Sequence, residues 1–293
     1  MPSVASEIFA PGLLDGRVAL VTGGGTNLGL ATASELAGCG AQVVISGRRE
    51  EVLAAAVERI GHGAVHVAGD VREPADAERM IDVALERFGR LDVLVNNAGG
   101  QYFVPAEAIE PKGWRAVTRL NVGGTELMTR TAVERAMRPA GGGTVVNVTL
   151  SPHHGLAGMT HSSAARAAVE GYTRAQAAEL RGDGIAVIAV AAGHYDTESL
   201  RKYPEVVWKG AARTVPLQRL GRMEEHAWTV ALAASELGRE LSGAILTVDG
   251  ARDNWFGLWP TGEIAEPGAT VPTEQRRPRA RPVGEPGTAS AER

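Results

Sequence analysis

Only one cysteine, Cys39, occurs in the 293 residues. That excludes an intrachain disulfide framework and suits a reducing compartment, here expected to be the cytoplasm. No run of about 18 apolar residues predicts a membrane span. Residues 1–15 lack the charged start and apolar stretch of a secretory signal, and the final Ala-Glu-Arg is not a peroxisomal address. With 34 acidic and 30 basic residues the net charge is −4, which gives no electrostatic case for a nucleic-acid partner. No carboxylate or cysteine joins His153, His154 and His161 at ligand spacing, so no metal site is expected. Internal repeats are absent. What remains, 44% hydrophobic and 22% charged, is the composition of an ordinary globular chain long enough for a large core.

Short apolar runs alternate with helical spacings. Strands are predicted at 17–22, 42–46, 64–68, 91–95, 143–149, 185–190 and 244–248. Helices are predicted at 28–38, 49–60, 74–88, 114–137 (broken at Gly123-Gly124), 162–180 and 224–237. Strict alternation predicts an α/β fold: a single-domain, doubly wound parallel sheet of the Rossmann type, with helices on both faces. This domain is expected over residues 1–260. Residues 261–293 are expected to be a disordered or loosely packed tail, because Pro, Gly, Arg and Glu replace large apolar residues there. The Arg276-Arg277-Pro278-Arg279-Ala280-Arg281 run reads as a solvated charge cluster. Trp255, Phe256 and Trp259 are expected at an oligomer contact or a substrate mouth.

A glycine-rich turn, Thr22-Gly23-Gly24-Gly25-Thr26-Asn27-Leu28-Gly29, joins the first strand to an Ala-rich helix. Glycine there lets backbone amides approach a pyrophosphate lying on the helix N-terminus. Asn27 stands where a middle glycine is usual; Asn tolerates the left-handed region, and its amide could also touch phosphate. The second strand ends in Ser46-Gly47-Arg48-Arg49 with no acidic residue to hold a ribose diol. Arg48 or Arg49 suits a 2′-phosphate instead, so NADPH is expected over NADH; the alternative is a solvated arginine pair opening a helix. Asp70 and Val71 follow the third strand, where the adenine would lie. Asn96-Asn97-Ala98-Gly99 follows the fourth, its buried amides pinning the loop.

These residues, with Asn121 and Asp249-Gly250, resemble the short-chain dehydrogenase/reductase family over roughly residues 13–250. Ala10-Pro11-Gly12-Leu13-Leu14, Gly99-Gly100-Gln101-Tyr102, Pro105-Ala106-Glu107, Lys112-Gly113-Trp114 and His161-Ser162-Ser163-Ala164-Ala165-Arg166-Ala167 are similar to peroxisomal trans-2-enoyl-CoA reductase and its bacterial relatives. A more distant likeness is to the 2,4-dienoyl-CoA reductases. The resemblance implies NADPH-dependent reduction of an acyl-thioester double bond in a homo-oligomer, a tetramer or dimer. Ser162 and Arg166 occupy the positions of the family's catalytic Tyr and Lys, and Thr149 that of its Ser. Arg166 would hold the nicotinamide ribose, and Asn121 would organise a water in the proton path. Leu28, Asn97, Ala98, Gly99 and Gly193 would line the cofactor, although Ala191-Ala192-Gly193 departs from the family's Pro-Gly.

Chemistry agrees with the likeness. Ketone reduction makes an alkoxide that needs a proton almost in step with hydride delivery, and a serine hydroxyl is a poor acid for that. Enoyl-thioester reduction gathers charge on the thioester oxygen, where hydrogen-bond donors suffice. The proton donor is open among Ser162 and the histidines. His161 is the first candidate; packing histidines are the alternative for each. Ser162 is equally placed to cap its helix. Residues 194–215 are expected to form a flap over substrate. The alternatives are a reductase or dehydrogenase of another carbonyl or alcohol, and a non-redox lyase, isomerase or cofactor-binding scaffold.

Overall fold

The computed structural model describes residues 5–203 and 205–254. The tail, its arginine run, Trp255, Phe256 and Trp259 lie outside the described residues.

Seven parallel strands form one sheet in the order β3-β2-β1-β4-β5-β6-β7. They are β1 (Val18–Thr22), β2 (Gln42–Gly47), β3 (Val65–Ala68), β4 (Val93–Asn96), β5 (Gly143–Leu150), β6 (Ile185–Ala192) and β7 (Ile245–Val248). Strand β1 shows why both faces are covered: Ala19 and Val21 enter one core, Val18 and Leu20 the other. Successive side chains point to opposite faces, so a strand buried on both sides must be apolar throughout.

Helices α1 (Asn27–Gly38), α2 (Glu50–Ile60) and α8 (Met223–Ala234) cover the first face, where Leu36, Leu53 and Val230 pack on Val43, Ile45 and Ile188. Helices α3 (Pro74–Phe88) and α5 (Gly124–Ala132) cover the second, packing Met80, Ile81 and Met128 on Val44, Leu94 and Val145. Pro74 opens α3, and Gly89 closes it at φ 78°, the left-handed stop that an L side chain resists.

The segment predicted as a helix broken at Gly123-Gly124 is not broken. Helix α4 (Pro111–Thr118) runs through a π-helical turn (Arg119–Gly123) into α5 and a second π turn (Val133–Met137). Gly123 and Gly124 hold helical φ of −62° and −64°. The glycine serves packing instead: a Cβ on Gly124 would sit 2.8 Å from Val71 Cγ2. Helix α6 (Thr160–Glu179) is the longest and lies against β5 and β6. Residues 194–215, expected as a flap, contain α7 (Glu205–Ala211), and an isolated Tyr195–Gly221 bridge joins the two ends of the excursion. Strand order reverses direction between β1 and β4, which opens a crevice at the carboxyl ends of those strands. Among the described residues no helix is long and apolar enough to cross a membrane, and no cluster of His, Cys, Asp or Glu could hold a metal.

Candidate active site

Thr22, the last residue of β1, ties the crevice together. Its Oγ1 accepts from the backbone N–H of Asn97 and Ala98, both at 3.0 Å, and Asn97 Nδ2 donates to the Thr22 carbonyl at 2.8 Å. The glycine turn and the loop after β4 are thereby one rigid wall. Gly29 is obligatory there: a Cβ would lie 2.2 Å from the Gly23 carbonyl oxygen and 2.5 Å from Asn97 Nδ2. Gly23 holds φ 66° against Ala98. Thr26 precedes α1 in extended backbone, leaving the first amides of the helix uncapped by side chains. Leu28 packs into the first core.

Asn27 does adopt the left-handed region, φ 48°. Its side chain is turned to residues 198–199: Nδ2 donates to Ser199 Oγ at 3.2 Å, and Oδ1 accepts from Glu198 N–H at 3.1 Å. The amide expected on phosphate thus fastens the excursion before α7 to the glycine turn. Arg48 and Arg49 are exposed at the end of β2. Asp70 is held by Arg72 at 2.8 Å and by a second, shorter contact of 2.5 Å, and these bonds keep its carboxyl below the usual range. Val71 is buried against Gly124.

Beyond β4 the chemistry converges on α6. Asn121 is fully buried in the π turn; Nδ2 donates to the Gly100 and Val117 carbonyls, each at 2.8 Å, and Oδ1 accepts from Gly100 N–H. Both its amide hydrogens are committed to protein, so it clamps the loop after β4 onto the helix. Arg166 reaches under that loop. Its Nη1 donates to the Val148 carbonyl at 2.6 Å, its Nε is buried without a partner, and Gly99 has no room for a Cβ because Nη2 would be 2.3 Å away. Desolvation pulls this guanidinium down to about 10, and it remains charged at neutral pH.

Ser162 is fully buried with its Oγ unpartnered; it lies inside α6, whose cap position is Met159, and so does not cap. His161 is sealed as completely. Neither ring nitrogen has a partner, burial lowers its basicity, and its ring meets the Tyr102 ring edge-on at 4.5 Å. Gly193 rests on Asp249, where a Cβ would come within 2.6 Å of the Asp249 backbone.

Thr149, at the end of β5, is buried and donates to Glu170 Oε1 at 3.2 Å. Glu170 did not figure in the sequence reading. The signal was its spacing: Ser162, Arg166 and Glu170 recur every four residues on an Ala-rich helix, which places all three on one stripe. Glu170 also meets His153 Nδ1 at 2.9 Å. Ser151 hydrogen-bonds Asp249.

The residues present fit a nicotinamide dinucleotide. The glycine cradle admits no side chain, the first turn of α1 presents amides, and two buried polar groups, Arg166 Nε and Ser162 Oγ, lack partners at the crevice.

A family model described as enoyl-(acyl carrier protein) reductase matches residues 24–251. The chain is 34% identical to a peroxisomal 2,4-dienoyl-CoA reductase, (3E)-enoyl-CoA-producing, of Arabidopsis thaliana, over 95% of this chain and 97% of that protein. It is 39% identical to cis-4-hydroxycyclohexanecarboxylate dehydrogenase of Sinomonas cyclohexanicum, over 80% and 95%. Among solved structures, a citronellol catabolism dehydrogenase of Pseudomonas aeruginosa PAO1 superposes with a TM-score of 0.76 at 36% identity, over 85% of this chain and 100% of that one.

Proposed function

The chain belongs to the short-chain dehydrogenase/reductase family, and we propose that this oxidoreductase uses NADPH to reduce the conjugated double bond of a 2-enoyl or 2,4-dienoyl thioester. The observation that carries the reading is the half-buried Arg166, its Nε sealed and unpartnered, one helical turn from Ser162 rather than from a phenol.

When bound, the nicotinamide supplies the hydride. The residues of this chain do the rest. Arg166 adds positive potential in a desolvated site, where such a charge acts most strongly on a developing enolate oxygen. Its guanidinium stays protonated, so it stabilises charge without relaying a proton. Ser162 Oγ–H, which has no partner in the protein, is the hydroxyl donor for a thioester oxygen. In both the enoyl and dienoyl reactions charge collects on that oxygen and Cα takes the proton, so one site serves both. Arg48 and Arg49 would meet the 2′-phosphate. The dienoyl-CoA reductase relative supports the substrate class, and the alternative, alcohol dehydrogenation, rests on the cyclohexanecarboxylate and citronellol dehydrogenases. That second reading needs a base at the carbinol, and Ser162 is a poor one. A homo-oligomer working in a reducing cytoplasm completes the proposal.

The test is NADPH consumption with a medium-chain trans-2-enoyl-CoA beside the matched 3-ketoacyl-CoA. Turnover on the enoyl substrate, and weaker turnover with NADH, is expected. Turnover on the ketone alone would overturn the reading.

A further inference from the structure

Reduction of a conjugated thioester leaves an enolate that must gain a proton at Cα. That proton needs a donor in the site and a route by which the donor is recharged from solvent. His161 lacks the route: its ring is fully buried and neither nitrogen meets a polar group that could recharge it. A different chain of groups leads outward from the same site. Thr149 Oγ1 is 3.2 Å from Glu170 Oε1, and Glu170 Oε1 is 2.9 Å from His153 Nδ1. Exposure rises along the path. Thr149 is 2% exposed, the Glu170 side chain 10% and the His153 side chain 28%.

We propose that Thr149, Glu170 and His153 form a proton relay from solvent to the Cα of the reduced substrate, an inference that rests on the enoyl-thioester reading. The partners settle the ring's tautomer. A carboxylate only accepts, so Nδ1 carries the hydrogen, and Nε2 at 2.9 Å from Thr247 Oγ1 accepts that hydroxyl. Around the ring stand Glu170 from α6, Asp253 and Asp249 from the turn after β7, and the neighbouring His154. Asp253 Oδ2 lies 3.9 Å from Nε2 and Asp253 Oδ1 3.6 Å from His154 Nδ1, while Asp249 receives the Asp253 N–H.

The transfer balances. The enolate electron pair takes the Thr149 Oγ proton and forms the Cα–H bond. The Glu170 carboxylate first takes the Nδ1 proton of a His153 ring that solvent has protonated at Nε2; the resulting carboxyl gives that proton to the Thr149 oxygen as the Thr149 hydrogen leaves, and His153 is recharged from water. The net change at the relay is one solvent proton consumed per hydride delivered. Glu170 and His153 act through Thr149, so they are positioning residues for it.

The full-length protein is assayed with NADPH and a medium-chain trans-2-enoyl-CoA. His153→Gln and Glu170→Gln are expected to lower kcat by about a hundredfold, the lower end of general acid catalysis. Both should flatten the decline of wild-type kcat at high pH while leaving NADPH affinity and the melting temperature in place. Imidazole in the buffer should restore His153→Ala, a rescue that a merely structural histidine would not show. In the protein alone, long-range proton–nitrogen NMR should find neutral His153 as the Nδ1–H tautomer. An Nε2–H tautomer overturns the relay, as do variants with unchanged kcat and pH profile in an active enzyme. Wild-type protein inert on every enoyl thioester overturns the reading beneath it instead.

Discussion

Replacing Arg166 by methionine should leave the ligand-free fold as stable as before or more stable, although it removes a buried hydrogen bond. Desolvation lowers the guanidinium from its ordinary value to about 10, which corresponds to roughly 3 kcal/mol against the charged form. The sign follows from linkage: the folded state disfavours the cation, so the penalty is fully present below about pH 10 and is relieved only as pH rises above it toward the ordinary guanidinium range. Methionine removes that penalty and fills much of the same space. Against it stands the Val148 carbonyl, which loses its donor at 2.6 Å; an unsatisfied buried acceptor costs about 1–3 kcal/mol. The difference runs from about zero to about 2 kcal/mol in favour of the variant. At roughly 2–4 °C per kcal/mol, the melting temperature should hold or rise by up to about 8 °C. Scanning calorimetry without and with NADPH reads both halves of the argument. The wild type should gain stability on adding NADPH and the variant much less, because binding stabilises only the state it selects. A ligand-free variant that melts more than about 4 °C lower would refute the reasoning, since Arg166 would then hold the fold together rather than wait for a ligand.

Two further outcomes follow from the geometry. Gly29→Ala puts a methyl 2.2 Å from the Gly23 carbonyl oxygen, and the forced shift of the turn should cost about 1–3 kcal/mol in a urea melt and weaken NADPH binding with it; binding at wild-type affinity would contradict the cradle. His226 and His194 are both lowered to about 4, first by burial, with Arg252 adding to the effect on His194. Neutral rings are favoured in the fold, so stability is intact above pH 6.5 and drains as pH falls toward 4; urea midpoints should fall over that window, and less steeply in His226→Phe, whereas a flat profile would be inconsistent with neutral buried rings.

Strand and helix alternation was legible in the chain because each strand is buried on both faces and therefore reads as an unbroken apolar run. The sites of the glycine turn were legible for a similar reason: Gly23 and Gly29 stand where backbone approaches backbone, which only glycine permits. Helix continuity through Gly123-Gly124 was not legible. Glycine's low helix propensity is a local quantity, and the contact with Val71 that rewards it comes from the turn after β3.

The amino-acid sequence by itself determined the sheet, the glycine turn after β1 and the identity of the groups at 149, 162 and 166, since these follow from period, composition and residue type. Partnership was decided only in three dimensions. That Asn27 faces Ser199, that His161 is sealed while His153 is not, and that Glu170 meets both Thr149 and His153 all depend on elements separated by up to 172 positions in the chain. No local pattern encodes such pairs, because their distances are set by how α6, the loop after β5 and the turn after β7 pack on one another.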